Sequence, residues 1–255
     1  MEDVQEIIAR GRELLRANWN QFTHVETDQE RGVPAPLLQK ALPPGAQTVT
    51  LPSPGSLALG SMPLGEAMRN RKSRRKYSTE FLSLDELSFL LWATQGVRKR
   101  TQNNTLRTVP SGGARHALET YLYLARVTGI TEGLYRYLPL DHALLVLPGP
   151  EALSSHIDEA LYEQSWEAAA VFIWAAVPYR MEWRYSWVSH KIIALDAGHV
   201  CQNLYLGCEA IGCGTCAIGA YDQEKMDALL GLDGTEEFSI YAAPVGRQID
   251  RAAAP

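Results

Sequence analysis

Arg69-Asn-Arg-Lys-Ser-Arg-Arg-Lys-Tyr77 places six cations in its first eight residues. The whole chain of 255 residues has 24 lysines and arginines and a net charge of −5, so a quarter of its positive charge sits in this one segment. A cluster of this kind is ordinarily a solvated surface or a tail that binds polyanions. Here Ser73 divides the cations, and Tyr77, Phe81 and Leu82 follow at once. Serine and arginine can converge charge-assisted hydrogen bonds on a phosphate, so the pattern points to an anion pocket rather than a loose tail. An isoelectric point near 5.7 argues against bulk binding of nucleic acid, which needs a broad basic face.

Outward from this segment, the chain reads as a domain with a leading arm. Residues 3–19 have apolar positions close to helical spacing. Residues 33–63 carry half of the 14 prolines, which predicts little regular structure and an arm lying over the domain. The expected division is an N-terminal helix and extended arm over residues 1–62 and a main domain over 63–255. Helices are predicted at 63–71 and 83–95, the second opened by a capping box at Ser83-Leu-Asp-Glu86. Residues 98–118 read as a loop. Strands follow at 120–127, 134–138, 142–147, 169–177 and 237–245, with helices at 150–165, 188–211 and 222–231. On the long helix, Ala194, Ala197, Gly198, Cys201 and Cys208 form a small-residue stripe that permits close approach of another element. The order of elements predicts an α+β sandwich with a mostly antiparallel sheet.

Two further segments have the residues to meet a ligand. Pro110-Ser-Gly-Gly-Ala-Arg115 and Gly212-Cys-Gly-Thr-Cys-Ala-Ile-Gly-Ala220 both use glycine where backbone N–H groups could approach closely. Neither matches a Walker loop or a dinucleotide fingerprint. All four cysteines fall between 201 and 216, a poor disulfide framework that suggests a reducing cytoplasm. The spacing Cys208-x4-Cys213-x2-Cys216 is similar to iron–sulfur spacing, but no second knuckle exists, so buried core thiols and no metal are expected. The start Met1-Glu-Asp-Val does not read as a signal peptide, and no apolar run approaches the roughly 18 residues of a membrane span.

Taken together the segments resemble the FMN-dependent nitroreductase superfamily, and within it the SagB-type dehydrogenase branch. The resemblance rests on Arg71-Lys-Ser-Arg-Arg-Lys-Tyr77, on Val109-Pro-Ser-Gly-Gly-Ala-Arg-His-Ala-Leu-Glu-Thr-Tyr-Leu122, and on Leu195-Asp-Ala-Gly-His-Val-Cys-Gln-Asn-Leu204. Gly212-Cys-Gly-Thr-Cys-Ala-Ile-Gly219 and Pro244-Val-Gly246 complete it, in the family's order. It implies a homodimer of nitroreductase-like sandwiches, each a mostly antiparallel central sheet flanked by helices, with FMN at the interface. It also implies site roles. Arg71 and Ser73 would hold the phosphate end, Arg75 would approach the flavin N1–O2 edge, and Arg247 would be a second phosphate cation. Pro110, Ser111 and Gly112 would pack on the ring from the other subunit, and Ile218, Gly219 and Ala220 would meet its N5–O4 edge.

The activity so implied is ping-pong transfer of hydride or electrons between NAD(P)H and a small organic acceptor. The alternatives are an FMN-dependent dehydrogenase acting on an azoline or related substrate, and a non-catalytic flavin-binding protein. Azoline-oxidising members carry a Lys-Tyr pair before the long helix; the corresponding text here is Trp183-Arg-Tyr-Ser-Trp187. Arginine is never a general base near neutral pH, so Tyr185 is left as the catalytic candidate.

Overall fold

In the computed structural model, residues 3–249 are described. The chain opens with α1 (Val4–Leu15) and a single turn, α2 (Trp19–Phe22), so the helix expected over 3–19 ends sooner. The proline-rich arm then runs across the domain and contributes a short strand, β1 (Thr48–Thr50). α3 (Leu64–Asn70) leads into the basic segment, and α4 (Leu84–Gln95) follows it. The capping box is present: Ser83 Oγ accepts from Glu86 N–H, and the Glu86 carboxylate accepts from Ser83 N–H.

The stretch expected as loop contains a hairpin, β2 (Val97–Arg100) and β3 (Thr105–Arg107). Its strands are too charged to show an apolar period of two, which is why they do not stand out in the sequence. After it come β4 (Leu118–Leu124), β5 (Gly133–Leu138), β6 (Ala143–Leu147), α5 (Leu153–Ala160) and β7 (Ala170–Ala176). A helix that the sequence reading left out, α6 (Tyr179–Tyr185), begins where Pro178 stops β7. The chain ends with α7 (Ser189–Ala210), β8 (Cys213–Thr215), α8 (Gln223–Leu230) and β9 (Phe238–Arg247).

Seven strands form one sheet in the order β1-β6-β5-β4-β7-β9-β8, and every neighbouring pair is antiparallel. This is the α+β sandwich expected from the order of elements. β4 and β7 read as continuous apolar runs because both of their faces are covered. Leu118, Leu122, Phe172 and Trp174 point to the side of α4 and α7, where Leu87, Leu90, Val200 and Leu204 meet them. Tyr121, Tyr123, Val171 and Ile173 point to the other side, against Ile157 of α5 and Met226 of α8. The small residues of α7 divide between two faces. Ala197, Cys201 and Cys208 are buried in the core, whereas Ala194 and Gly198 are exposed beside Leu195, His199 and Gln202.

The arm is fastened by polar contacts. Buried Arg107 donates to Leu38 O, and buried Arg136 donates to the carbonyls of Lys40 and Ala41. Lys40 N–H in turn donates to buried Glu119 at 3.0 Å.

Candidate functional site

The basic segment leaves α3 as extended chain and docks beside the sheet. Ser73 bridges Thr215 of β8 in parallel, and Arg74 N–H donates to Thr215 O at 3.0 Å. Extended chain alternates its side chains, so neighbours in this run point opposite ways. Arg74 turns inward and pairs with buried Glu209. Its stem lies over Gly214, where an added Cβ would sit 2.5 Å from Arg74 Cδ. Tyr77 also turns inward, its hydroxyl donating to Arg74 O at 2.7 Å, and burial raises the pKa of that hydroxyl. Arg71, Ser73 and Arg75 are left on the open side.

Tyr205 of α7 organises that side. Its hydroxyl accepts from Ala217 N–H at 2.8 Å and lies 3.0 Å from Ser73 Oγ, to which it is then free to donate. The Arg71 guanidinium lies 5.4 Å from the Tyr205 ring centroid, and that of Arg75 lies 5.8 Å from the Trp166 ring. Ile218 is fixed by exchanging hydrogen bonds with Ala242 at 2.7 and 3.1 Å. Gly219 and Ala220 follow it to the surface, and nothing lies within 4 Å of a Cβ built on Gly219. Arg71, Ser73, Arg75, Ile218, Gly219 and Ala220 are therefore brought to one end of α7.

Pro110, Ser111 and Gly112 are brought to the other end. Gly112 N–H donates to Asp196 Oδ1 at 3.3 Å, and a Cβ on Gly112 would collide with Ile192. Ser111 Oγ accepts from His116 N–H at 2.9 Å, which closes the loop. Gly113 has φ +55°, and a Cβ there would lie 2.6 Å from the Tyr185 hydroxyl. The loop thus packs directly on Tyr185. Burial raises the pKa of Asp196, and its Oδ2 is buried with no hydrogen-bond partner among the described residues. His116 is held neutral: burial, then the charge of Arg107, push its pKa down to about 3.

The contacts of the two groups on α7 are Ile192 and Asp196 at one end and Tyr205 at the other. At 1.5 Å per residue they are about 14–20 Å apart along the helix. One chain does not bring them together. Arg247 lies near the first group, where Ser78 N–H donates to its carbonyl, but its guanidinium is held by Glu86 at 2.7 and 2.8 Å. The four cysteines are buried and unpaired with one another; burial pushes Cys201 up to about 12.

The sequence reading passed over Tyr205, Trp166 and Asp196. Tyr205 is the one tyrosine in a helix otherwise built from aliphatic, small and polar residues. Asp196 is a carboxylate on the buried side of the same helix, next to Ala197. Those two oddities were the available signals. Trp166, in a loop, gave none.

The donors on the open side suit an anionic group joined to a polar planar ring. Arg71 and Arg75 make no ion pair within the described residues, although the chain is acidic. Among the described residues the N–H groups of Gly219 and Ala220 have no acceptor. Thr215 Oγ1, beside Ser73, is buried without a partner. FMN, with a phosphate and a flavin edge rich in acceptors, fits this set.

Comparison with known proteins gives a consistent picture. The Nitroreductase family model matches residues 68–247. A nitroreductase-like protein of Methanocaldococcus jannaschii is 31% identical over 188 residues, covering 73% of this chain and 92% of that protein. The trifolitoxin-processing protein TfxB of Rhizobium leguminosarum bv. trifolii is 28% identical over 177 residues, 65% of this chain and 48% of its own length. A nitroreductase-like crystal structure from Ralstonia eutropha superposes with a TM-score of 0.66 at 27% identity, covering 85% of this chain and 97% of that one. A more distant fold relative from Desulfovibrio desulfuricans, crystallised in complex with FMN, has a TM-score of 0.51 at 16% identity over 76% and 90% of the two chains.

Proposed function

The chain belongs to the nitroreductase family, and from that premise we propose that it is an FMN-dependent oxidoreductase working between NAD(P)H and a small organic acceptor. The observation that carries the proposal is the convergence on one open surface of Arg71, Arg75, the Ser73 hydroxyl set by Tyr205 and the Gly219–Ala220 backbone. The FMN-bound fold relative supports the choice of flavin.

In this reading Arg71 and Ser73 hold the phosphate, and Tyr205 sets the Ser73 hydroxyl by donating to it. Arg75 would approach the N1–O2 edge, where a fixed cation favours negative charge. The Gly219 and Ala220 N–H groups would serve the N5–O4 edge. When bound, FMN would supply the hydride chemistry through N5. Arg247 would serve the phosphate only by opening its pair with Glu86. Pro110, Ser111 and Gly112 cover the ring from a second copy, because the two groups are separated along α7. The proposed assembly is therefore a homodimer, built on the exposed α7 face around Ala194 and Gly198.

Tyr185, against which the covering loop packs, is the candidate acid in this reading. Arg184 lies 5.5 Å from its ring, and an arginine orients and attracts rather than serving as a general base. A single open face that serves donor and acceptor in turn would give ping-pong kinetics. The likeness to TfxB favours the SagB-type branch and keeps a dehydrogenase acting on a modified peptide as the second reading. Among the described residues no helix is long and apolar enough to cross a membrane. A reducing cytoplasm is proposed from the cysteine usage.

The test is the colour of the purified protein and its response to NADH and NADPH without oxygen. Bleaching by either nucleotide supports the reductase. A yellow protein that neither bleaches, but which a thiazoline peptide reduces, favours the dehydrogenase. A colourless protein that does not take up added FMN contradicts both.

A further inference from the structure

The N-terminal helix lies outside the residues that match the family, and among the described residues none of its side chains is buried. It still meets the site. The Lys191 ammonium donates to Leu15 O at 2.5 Å, and the Trp19 ring packs edge-on against Tyr185, 5.9 Å between centroids at 87°. Between the end of α1 and the start of α7 is a cavity of about 330 Å³, walled by Leu14, Trp19, Trp187, Lys191, Ile192 and Leu195. That is at the small end of ligand pockets, large enough for a molecule of one to three rings. Ile192 also backs Gly112, so the cavity opens beside the loop that would cover the cofactor.

Its chemistry selects among ligands. Trp19 and Trp187 both line the cavity and are 44% and 42% exposed, so indole surface is open to a ligand there, although Trp19 also packs edge-on with Phe22. Arg16 is neutralised by Glu13 at 3.2 Å. Lys191 has no carboxylate partner among the described residues, and two of its N–H groups remain after the bond to Leu15. The cavity is thus apolar and aromatic with one uncompensated cation.

We propose that the end of α1, Trp19 of α2, Trp187 and the start of α7 form a slot for a planar aromatic anion, held against the tryptophans with its charge on Lys191. The slot would give this enzyme its substrate class: aromatic carboxylates or comparable aromatic anions. Calling that ligand the substrate rests on the function proposed above; the slot itself does not.

The test is calorimetric titration of the purified protein, flavin content recorded, with 2-naphthoate and with neutral 2-naphthamide. The expected result is about tenfold tighter binding of the naphthoate, the size of one charge-assisted contact. Lys191→Met removes this preference and Lys191→Arg keeps it. Trp19→Leu weakens both ligands, with the dimer unchanged by light scattering. A yellow protein that binds neither ligand, or whose binding is the same in Lys191→Met and Trp19→Leu, overturns the slot and leaves the flavin reading standing. A colourless protein with the naphthoate preference supports the slot and contradicts the flavin. If Trp19→Leu instead changes the subunit state, a second copy occupies the cavity and the proposal is wrong.

Discussion

Arg74 and Arg75 are adjacent, yet one is spent inside the fold and the other is left open. A run of like cations gives no sign of which members turn inward; the docking of Ser73 on Thr215 decides it. Arg71→Ala should weaken FMN by about 1.5–3 kcal/mol, ten- to a hundredfold in Kd, with little change in melting temperature. Arg74→Ala should do the reverse, costing about 3 kcal/mol of stability because Glu209 stays buried without its guanidinium. Flavin absorbance after dialysis and thermal melts separate the two. His116 gives a pH prediction. Its folded pKa of about 3 lies below the ordinary 6.5, so the unfolded chain binds a proton that the native state refuses. Stability from this group is whole above pH 6.5 and is lost as pH falls toward 3, by about 1.4 kcal/mol per unit. Denaturant titrations between pH 7 and 4 should show that slope in the wild type and a shallower one in His116→Gln.

Among the elements, α7 joins sheet, loop and proposed interface, and its two faces should respond differently to added bulk. Nothing lies within 4 Å of a Cβ on Gly198, so Gly198→Leu should leave the subunit folded while dimer and flavin are lost together. Ala197→Leu, in the core, should instead cost about 1–3 kcal/mol of stability by overpacking. Circular dichroism beside light scattering distinguishes these. The length of α7 was legible, and so was the start of α4 from its capping box. The division of the small residues between two faces was not, because alanine and glycine suit either side. α6 was missed because it follows a buried strand after a single proline. β8 is not among the strands expected from the sequence, because Gly214 is there to admit the Arg74 stem, not to make a turn.

At the scale of the whole molecule the arm matters more than its composition suggested. Low regularity was foreseen from the prolines, but the carbonyls of Leu38, Lys40 and Ala41 satisfy two buried guanidinium groups. The proposed division near residue 62 can be tested on that point. Removing residues 1–46 should strip Arg136 of both its carbonyl acceptors and Arg107 of one of its three acceptors, at about 1–3 kcal/mol for each stranded donor, whereas removing residues 1–22 should leave the melting temperature nearly unchanged. The candidate site was legible as separate segments, since each carries its own glycines or cations. That they belong to different subunits was implied by the resemblance alone, and their placement at opposite ends of α7 was not legible in the sequence. One measurement bears on this most directly: light scattering and flavin absorbance recorded on the same samples through a dilution series. The account predicts a yellow dimer that releases FMN in step with its dissociation. A monomer that keeps its FMN would contradict it.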